Sequence, residues 1–509
     1  MPEPGHRRPA GARGGADRAS WTGWALWRAT LLAVMAVPAV LYVVYTVRFF
    51  DFPVIDRGWT IDHLVHNAWQ LVQGQPLYTD PSAGSPTAFM YTPGLTLMIA
   101  PLVALFGPEL WTARLVNLVG STLLVTLVAR ESARRARDKR LAWFAAGLVF
   151  LLGATNGHQL IVTHPESWSL TWTVVALMAA RRAIETGRGL ALAVLATCAA
   201  VATKQTTLVY ALAVAVPLLA AGRPGRAVAY VAGVGGLLAA ATAWAQHATG
   251  GRFLDYMLLA NRQNMVPERP LKTLLFVTYY LGPCLLACAA ALALTRPRLR
   301  LVERLRDPFL VALIVAVPAT ALVMIKGGSA SNNLLTLTLL VVPFAIQSVD
   351  ALLPWLARRP ARAAAAAALC LAVAGWRARS DAPSLWQNIK GHDRALAAAR
   401  RLDEIVRSAR RPVWVPLDIS LAYRNGVPVV SPAAILAEYR FDPAFFAPLR
   451  SALESGTFQT ILLQDTLFNL LPETVFGPPL RASYRPVELV VSGSNVGIYG
   501  SVTVLERRE

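Results

Sequence analysis

The chain has 509 residues, of which 55% are hydrophobic and only 15% charged, and its mean hydropathy is +0.45; a soluble domain carries about 25% charged residues. Such a chain cannot bury its apolar surface in one aqueous core, which excludes a soluble globular protein and points to a polytopic membrane protein. The net charge of +20 does not mark a nucleic-acid binder, because the arginines gather in short loops between apolar runs, as they do in cytoplasmic membrane loops.

Residues 1–23 are basic and rich in Gly and Pro, and read as a disordered cytoplasmic tail. The apolar run 24–47 is too long for a signal-peptide core and has no obvious cleavage site after it, so it reads as a retained first span with its N-terminus inside. Residues 48–108 form the first outer loop. It holds Asp56, Arg57 and Asp62, a polar turn GQPLYTDPS, and an apolar segment over 91–106 that begins YTPG. That segment is short and contains Pro93 and Pro101, so it is expected to re-enter or lie in the interface rather than span. Charge requires the same. The loop 130–140, RESARRARDKR, has six basic residues and belongs inside, which leaves room for one further span, 109–129, before it.

The remaining predicted spans are 141–156, 168–180, 189–203, 206–221, 227–246, 272–294, 308–325, 334–349 and 363–376. The arginine-bearing loops 181–188, 222–226, 295–307 and 350–362 then fall inside, and 157–167, Lys204–Gln205, 247–271 and 326–333 fall outside. After Trp376 the composition changes. DRALAAARRLDEIVRSARR has the spacing of an amphipathic helix, and PVWVPLD, QTILLQD and VGIYGSVTVLE read as short strands. The expected fold is an α-helical polytopic membrane protein of about eleven transmembrane helices, with a re-entrant or interfacial helix in the first outer loop. A small α/β extracytoplasmic domain over 377–509 completes it. The four cysteines, Cys198, Cys284, Cys288 and Cys370, all lie in apolar runs and read as packing residues.

Polar groups with possible chemistry fall on the outer face. Asp56 and Asp62 are candidates for a general base or for metal ligands, although Asp62 also reads as a helix N-cap. Arg57, Lys204 and Lys326 are isolated cations at a membrane edge, which either snorkel or meet an anion such as a lipid-linked phosphate. The loop NGHQLIVTHPESW supplies His158, His164 and Glu166; Glu166 is a candidate second acid, and the spacing matches no recognised metal motif. Arg114 and Asn117 share a helix face, with snorkelling and contact to the outer loop both open for Arg114. Tyr91 is a candidate substrate contact or a member of the interfacial aromatic belt.

The stretches AWQLVQGQPLYTDPS, YTPGLTLMIAPLVALFG, ATKQTTLVYALAVAVP and KGGSASNNLL resemble the C-type superfamily of membrane glycosyltransferases. The likeness is to bacterial members related to the protein O-mannosyltransferases and the lipid A aminoarabinose transferase, and it covers most of 24–376. It implies a polyprenyl-phosphate-linked sugar donor, a glycan, lipid or protein acceptor, inversion at the anomeric carbon, and a multi-pass protein of the inner (plasma) membrane working on its outer face. It also implies a base in the first outer loop, carried onto Asp56 with Asp62 as rival, and a second acid matched by Glu166. Many relatives have adjacent Asp-Glu where this chain has Asp56-Arg57, which leaves open a divalent metal such as Mg or Mn; no other cofactor is implied. The competing readings are a transporter or lipid-linked-sugar flippase, and an assembly subunit with a degenerate site. Transporters carry internal repeats and broken helices at the midplane, whereas here the polar groups sit at loop ends on one face.

Overall fold

The computed structural model describes residues 29, 36, 39–54, 61–80, 87, 91–141, 144–145, 147–149, 164–259, 271, 275, 278, 282, 301–325, 334–357, 361, 386–438, 443–464, 467, 471–491 and 501–509. The predicted tail 1–23, the run 363–376 and the candidates Asp56, Arg57, His158 and Lys326 lie outside them.

The chain is mostly helical, with several apolar helices. Helix α1 spans Ala39–Phe49. Residues 48–108 hold α2, Ile61–Val72, and α3, Gly94–Phe106. Then come α4, Leu110–Arg135, α5, Glu166–Thr186, and α6, Leu190–Thr203. A 3-10 segment, Gln205–Ala211, leads into α7, Leu212–Ala220. Helices α8, Pro224–Ala248, α9, Arg252–Leu259, α10, Pro308–Ile325, and α11, Leu335–Ala357, follow. Among the described residues, α4, α8 and Leu335–Leu352 within α11 are long and apolar enough to cross a membrane. Helix α3 has 13 residues, about 20 Å of helix, short of a hydrocarbon core of about 30 Å. It packs instead on α2 and α4, burying Leu95, Ile99 and Val103 against Leu64, Val65 and Ala113.

Among the described residues, the basic ends of α4 and α5 meet Asp307, Asp350 and Arg226 at one end of the bundle. Glu131, fully buried on α4, accepts from Arg135 Nε at 2.6 Å and from Arg181 Nη2 at 2.8 Å. Asp307 pairs with Arg135 at 2.7 Å. The Arg135 and Arg181 guanidiniums also lie over aromatic rings, at 4.3 Å from the Phe344 centroid and 5.0 Å from that of Phe309. Arg226 donates to the Ala183 carbonyl at 2.8 Å, and the Arg137 N–H donates to Asp350 at 2.8 Å. Buried guanidiniums at this end are thus paired or stacked, as a low-dielectric setting demands.

The C-terminal residues form a helix over 386–408, α12, further short helices at Ser420–Arg424, Ala433–Glu438, Pro443–Glu454 and Glu473–Ser483, and a four-stranded sheet. Its strands are β1, Val413–Trp414, β2, Thr460–Gln464, β3, Tyr484–Val491, and β4, Ser501–Arg507, in the order β1-β2-β4-β3. β1 and β2 are parallel; the other pairs are antiparallel. Alternation along β2 sends Ile461 to one face and Leu462 to the other. Ile461 belongs to an apolar cluster that also holds Tyr78 and, from α9, Phe253 and Tyr256. Leu462 belongs to a second cluster that also holds residues of α12 and, around the end of α1, Tyr45, Phe49 and Phe52. Continuous apolar packing therefore ties the sheet to the helical bundle. Arg252 adds an ion pair to Asp80, and the Tyr256 hydroxyl donates to the Thr79 carbonyl at 2.9 Å.

Candidate functional site

Helix α6 stops at Thr203. Lys204 takes an extended backbone (φ −151°, ψ 112°), and the chain resumes as the 3-10 segment. The break turns the Lys204 side chain inward, towards Glu166, the first residue of α5. Its Nζ donates to Glu166 Oε1 at 2.6 Å. Lys204 is 6% exposed and Glu166 2%, so this lysine does not snorkel to water. His164 Nδ1 lies 3.7 Å from Glu166 Oε2, and the Lys204 ammonium sits 5.5 Å from the centroid of the Tyr91 ring. Four sequence candidates, Tyr91, His164, Glu166 and Lys204, thus converge from three distant segments.

Beside the pair is a cavity of about 40 Å³, also lined by Thr206, Thr207, Tyr210, Thr320 and Thr336. That is room for about three water-sized groups. Its walls offer hydroxyls and one balanced pair of charges.

The YTPG stretch comes to Lys204 because α3 starts against the end of α6. The Thr92 hydroxyl donates to the Val201 carbonyl at 2.8 Å. A Cβ on Gly94 would lie 2.6 Å from the Ala202 carbonyl carbon and 2.9 Å from the Thr203 nitrogen. Only glycine permits that approach. At the other end of the same packing layer, Trp168 Nε1 donates to the Val116 carbonyl at 2.8 Å, and Ser167 Oγ donates to Asn117 Oδ1 at 2.6 Å. These bonds fix the start of α5, and with it Glu166.

Asp62 lies in a separate cluster, between α2 and the C-terminal residues 418–423. It is fully buried. Its Oδ1 accepts the His63 N–H at 2.9 Å and its Oδ2 the Ile419 N–H at 3.0 Å. Asp62 thus lies inside the first turn of its helix and not at the N-cap position: one carboxylate oxygen accepts a first-turn N–H of that helix and the other reaches across to the C-terminal residues. Burial, then the neighbouring buried Asp418, push the Asp62 pKa well above its usual range. Burial also brings His63 down to about 3 and His66 to about 4, so both rings are neutral. His66 stacks on Tyr423, with centroids 5.6 Å apart, and burial followed by the charge of Asp62 raises the Tyr423 pKa. Among the described residues, no three His, Cys, Asp or Glu side chains come together as a group that could hold a metal ion.

Asp418, Tyr423 and the cavity threonines were not singled out from the sequence. DISLAY follows a strand without any recognisable motif, and threonines in apolar helices carry no signal of a cavity. Arg114 is 6% exposed and donates to the backbone carbonyls of Phe50, Phe52 and Val54.

No protein-family model matches the sequence, and no curated protein does. Solved structures do match in fold. The structure of ArnT from Cupriavidus metallidurans in the apo state aligns with a TM-score of 0.55 at 13% identity, over 96% of this chain and 98% of that one. The same protein bound to undecaprenyl phosphate aligns with a TM-score of 0.52 at 14% identity, over 92% and 96%. An Archaeoglobus fulgidus oligosaccharyltransferase tethered with an acceptor peptide aligns with a TM-score of 0.48 at 12% identity, over 92% and 73%. The resemblance read from short motifs extends, through ArnT, to the fold of nearly the whole chain.

Proposed function

We propose that the chain is an integral membrane glycosyltransferase. It moves a sugar from a polyprenyl-phosphate-linked donor to the hydroxyl of a glycan, lipid or protein acceptor, with inversion, on the outer face of the inner membrane. The observation that carries this reading is the buried Lys204–Glu166 pair beside a hydroxyl-lined cavity, at the end of an ArnT-like bundle away from the arginine-rich loops. That charge asymmetry supports a chain of about eleven spans with its N-terminus inside and its C-terminal domain outside. The presence of undecaprenyl phosphate in one ArnT structure supports a polyprenyl phosphate as the leaving group.

In the proposed reaction the acceptor hydroxyl attacks the anomeric carbon as its proton passes to Asp56. The bond from that carbon to the donor's phosphate oxygen breaks, and the phosphate leaves with the electron pair. Lys204, with Arg57 and Lys326, stabilises the charge that develops on it. Glu166 holds Lys204 in place until the phosphate competes for the ammonium, and His164 and Tyr91 border the pair. Both Asp62 oxygens already accept backbone N–H groups, which favours Asp56 over Asp62 as the base.

The test is transfer from radiolabelled polyprenyl-phosphate sugars, offered as a panel of hexoses and pentoses, to membrane extracts. Loss of a general base costs about 10²–10⁴-fold, so Asp56→Asn should fall in that range at normal expression. Transfer that survives Asp56→Asn would remove Asp56 as base. Failure of the wild type with every donor would overturn the glycosyltransferase reading.

A further inference from the structure

The cavity beside Lys204 and Glu166 reaches from the pair into the bundle. Ser169, on its wall, is one turn along α5 from Glu166. Thr320 lies five positions before the end of α10, about 7.5 Å along a helix. Four elements close around the space: α5, the 3-10 segment, α10 and the first turn of α11. Six of the lining residues carry hydroxyls: Ser169, Thr206, Thr207, Tyr210, Thr320 and Thr336. Several of these have already given their hydrogen to the protein. Ser169 Oγ donates to the Glu166 carbonyl at 3.2 Å, Thr207 Oγ1 donates to the Lys204 carbonyl at 2.8 Å, and the Tyr210 and Thr336 hydroxyls are bonded to each other. Each such oxygen keeps accepting capacity. The two charges beside them are 2% and 6% exposed. A carboxylate and an ammonium have several hydrogen-bonding positions each, and their bond at 2.6 Å uses one on either side. Ions held this deep need further hydrogen bonds to offset their lost hydration. A space of about 40 Å³ has room for three waters at about 10–15 Å³ each and is too small for a sugar ring. Cavities that stay dry are apolar, whereas this one is walled largely by hydroxyls and charges.

We propose that this cavity is a water-binding site: about three ordered waters lie among the hydroxyls, hydrate the inner side of the Lys204–Glu166 pair and take over its hydrogen bonds when the pair opens. Without them, separating the pair would leave two charges stranded in a low-dielectric setting, which is costly. With them, Lys204 exchanges Glu166 for an incoming anion, and the carboxylate left behind still accepts from water. Thr320 is a positioning residue in this scheme. It touches no substrate and acts through the waters it holds. The release of Lys204 to a donor's phosphate rests on the glycosyltransferase reading; the water site itself does not.

The experiment is X-ray hydroxyl-radical footprinting with mass spectrometry on the full-length protein in nanodiscs. A short pulse makes radicals from bound as well as bulk water, and they oxidise the side chains nearest to the water that produced them. Leu170 and Leu177 give an internal comparison. Both are buried on α5, at 4% and 0% exposure, but Leu170 lines the cavity and Leu177 does not. Leu170 and Tyr210 should be oxidised and Leu177 spared. Thr320→Ile removes a hydroxyl and fills the space, so it should abolish oxidation of Leu170 and Tyr210. Thr320→Ser keeps the hydroxyl and should retain it. Thr320→Val takes the place of Thr320→Ile if the melting temperature shows that the larger side chain prevents folding. Leu170 and Tyr210 left unoxidised in the wild type would overturn the water site. Undiminished oxidation in a folded Thr320→Ile would overturn its placement beside Thr320. Binding of a polyprenyl phosphate should weaken in Thr320→Ile by about ten- to a hundredfold, the size of one hydrogen bond to a charged group, and stay near wild type in Thr320→Ser. Unchanged affinity with the oxidation lost would overturn the release of Lys204 by water. Absence of binding in the wild type would count against the glycosyltransferase reading, while the footprint still decides the water site.

Discussion

Replacing Lys204 by methionine tests the pocket at its centre. The lysine is 6% exposed and Glu166 2%, and they meet at 2.6 Å. Methionine keeps the apolar stem and removes the charge, leaving the Glu166 carboxylate buried, with His164 3.7 Å away. Removing one partner of a buried pair costs about 3–5 kcal/mol; the same change in an exposed pair costs about 0–1 kcal/mol. The double variant Glu166→Gln/Lys204→Met buries no unpaired charge, and replacing a whole buried pair is often nearly neutral. The double variant should therefore be more stable than Lys204→Met alone by about 2–4 kcal/mol. Denaturation midpoints of the purified proteins in one detergent, arranged as a double-mutant cycle, give the coupling directly. A loss under about 1 kcal/mol in Lys204→Met, or a double variant no better than the single, would refute the buried-pair reasoning. The folded double variant then isolates the lysine's role: weaker binding of a polyprenyl phosphate to it reflects lost charge and not lost structure.

Two further variants probe the contacts around the pair. Gly94→Ala places a Cβ 2.6 Å from the Ala202 carbonyl carbon and 2.9 Å from the Thr203 nitrogen, so the start of α3 must shift. Overpacking of this kind costs about 1–3 kcal/mol, read as a lower melting temperature, and an unchanged value would show that α3 adjusts freely. Asp62→Asn addresses pH. A carboxyl whose pKa is raised by folding binds its proton more tightly in the native state, so its contribution to stability declines as pH rises from the ordinary 3.8 towards the folded value. His63 and His66 work in the opposite direction, because their lowered pKa values cost stability as pH falls through 6.5 and below. The readout is therefore the denaturation midpoint of wild type minus that of Asp62→Asn, which should fall as pH rises above about 4. Parallel profiles for the two proteins would remove the buried Asp62 proton from the account.

The membrane class was legible because it rests on sums: composition, and the clustering of arginines between apolar runs. The shortness of α3 was legible from Pro93, Pro101 and the length of the run. The division of 206–221 into a 3-10 segment and α7 was not, because a continuous apolar pattern reads alike in both geometries. β3 was also missed. Its Pro486 and the charged Arg485 and Glu488 break the alternation of a strand, and Pro486 and Glu488 flank a register shift on this edge of the sheet. Pro is tolerated at such places because no interior ladder bond depends on it.

The site shows a different limit. Lys204 and Glu166 were both singled out as polar groups on the outer face, yet nothing in their own neighbourhoods said that they face each other. They are 38 residues apart, and the contact depends on three local facts that meet only in space. Lys204 needs the break after Thr203 to turn inward. Glu166 needs Trp168 and Ser167 bonded to Val116 and Asn117 of α4 to start α5 at the right height. Tyr91 needs Gly94 to bring α3 against Ala202. Each of these residues looks ordinary alone: a glycine near a proline, a tryptophan at a helix end, a serine in the first turn. Arg114 is the same case seen from the loop side. Its spacing left snorkelling and loop contact open, and the choice is made by the three carbonyls of Phe50, Phe52 and Val54, backbone groups that carry no sequence signal at all. Titratable side chains mark where chemistry can happen in such a chain, whereas their alignment is set by glycines, helix breaks and carbonyl oxygens, which a single sequence does not distinguish from packing.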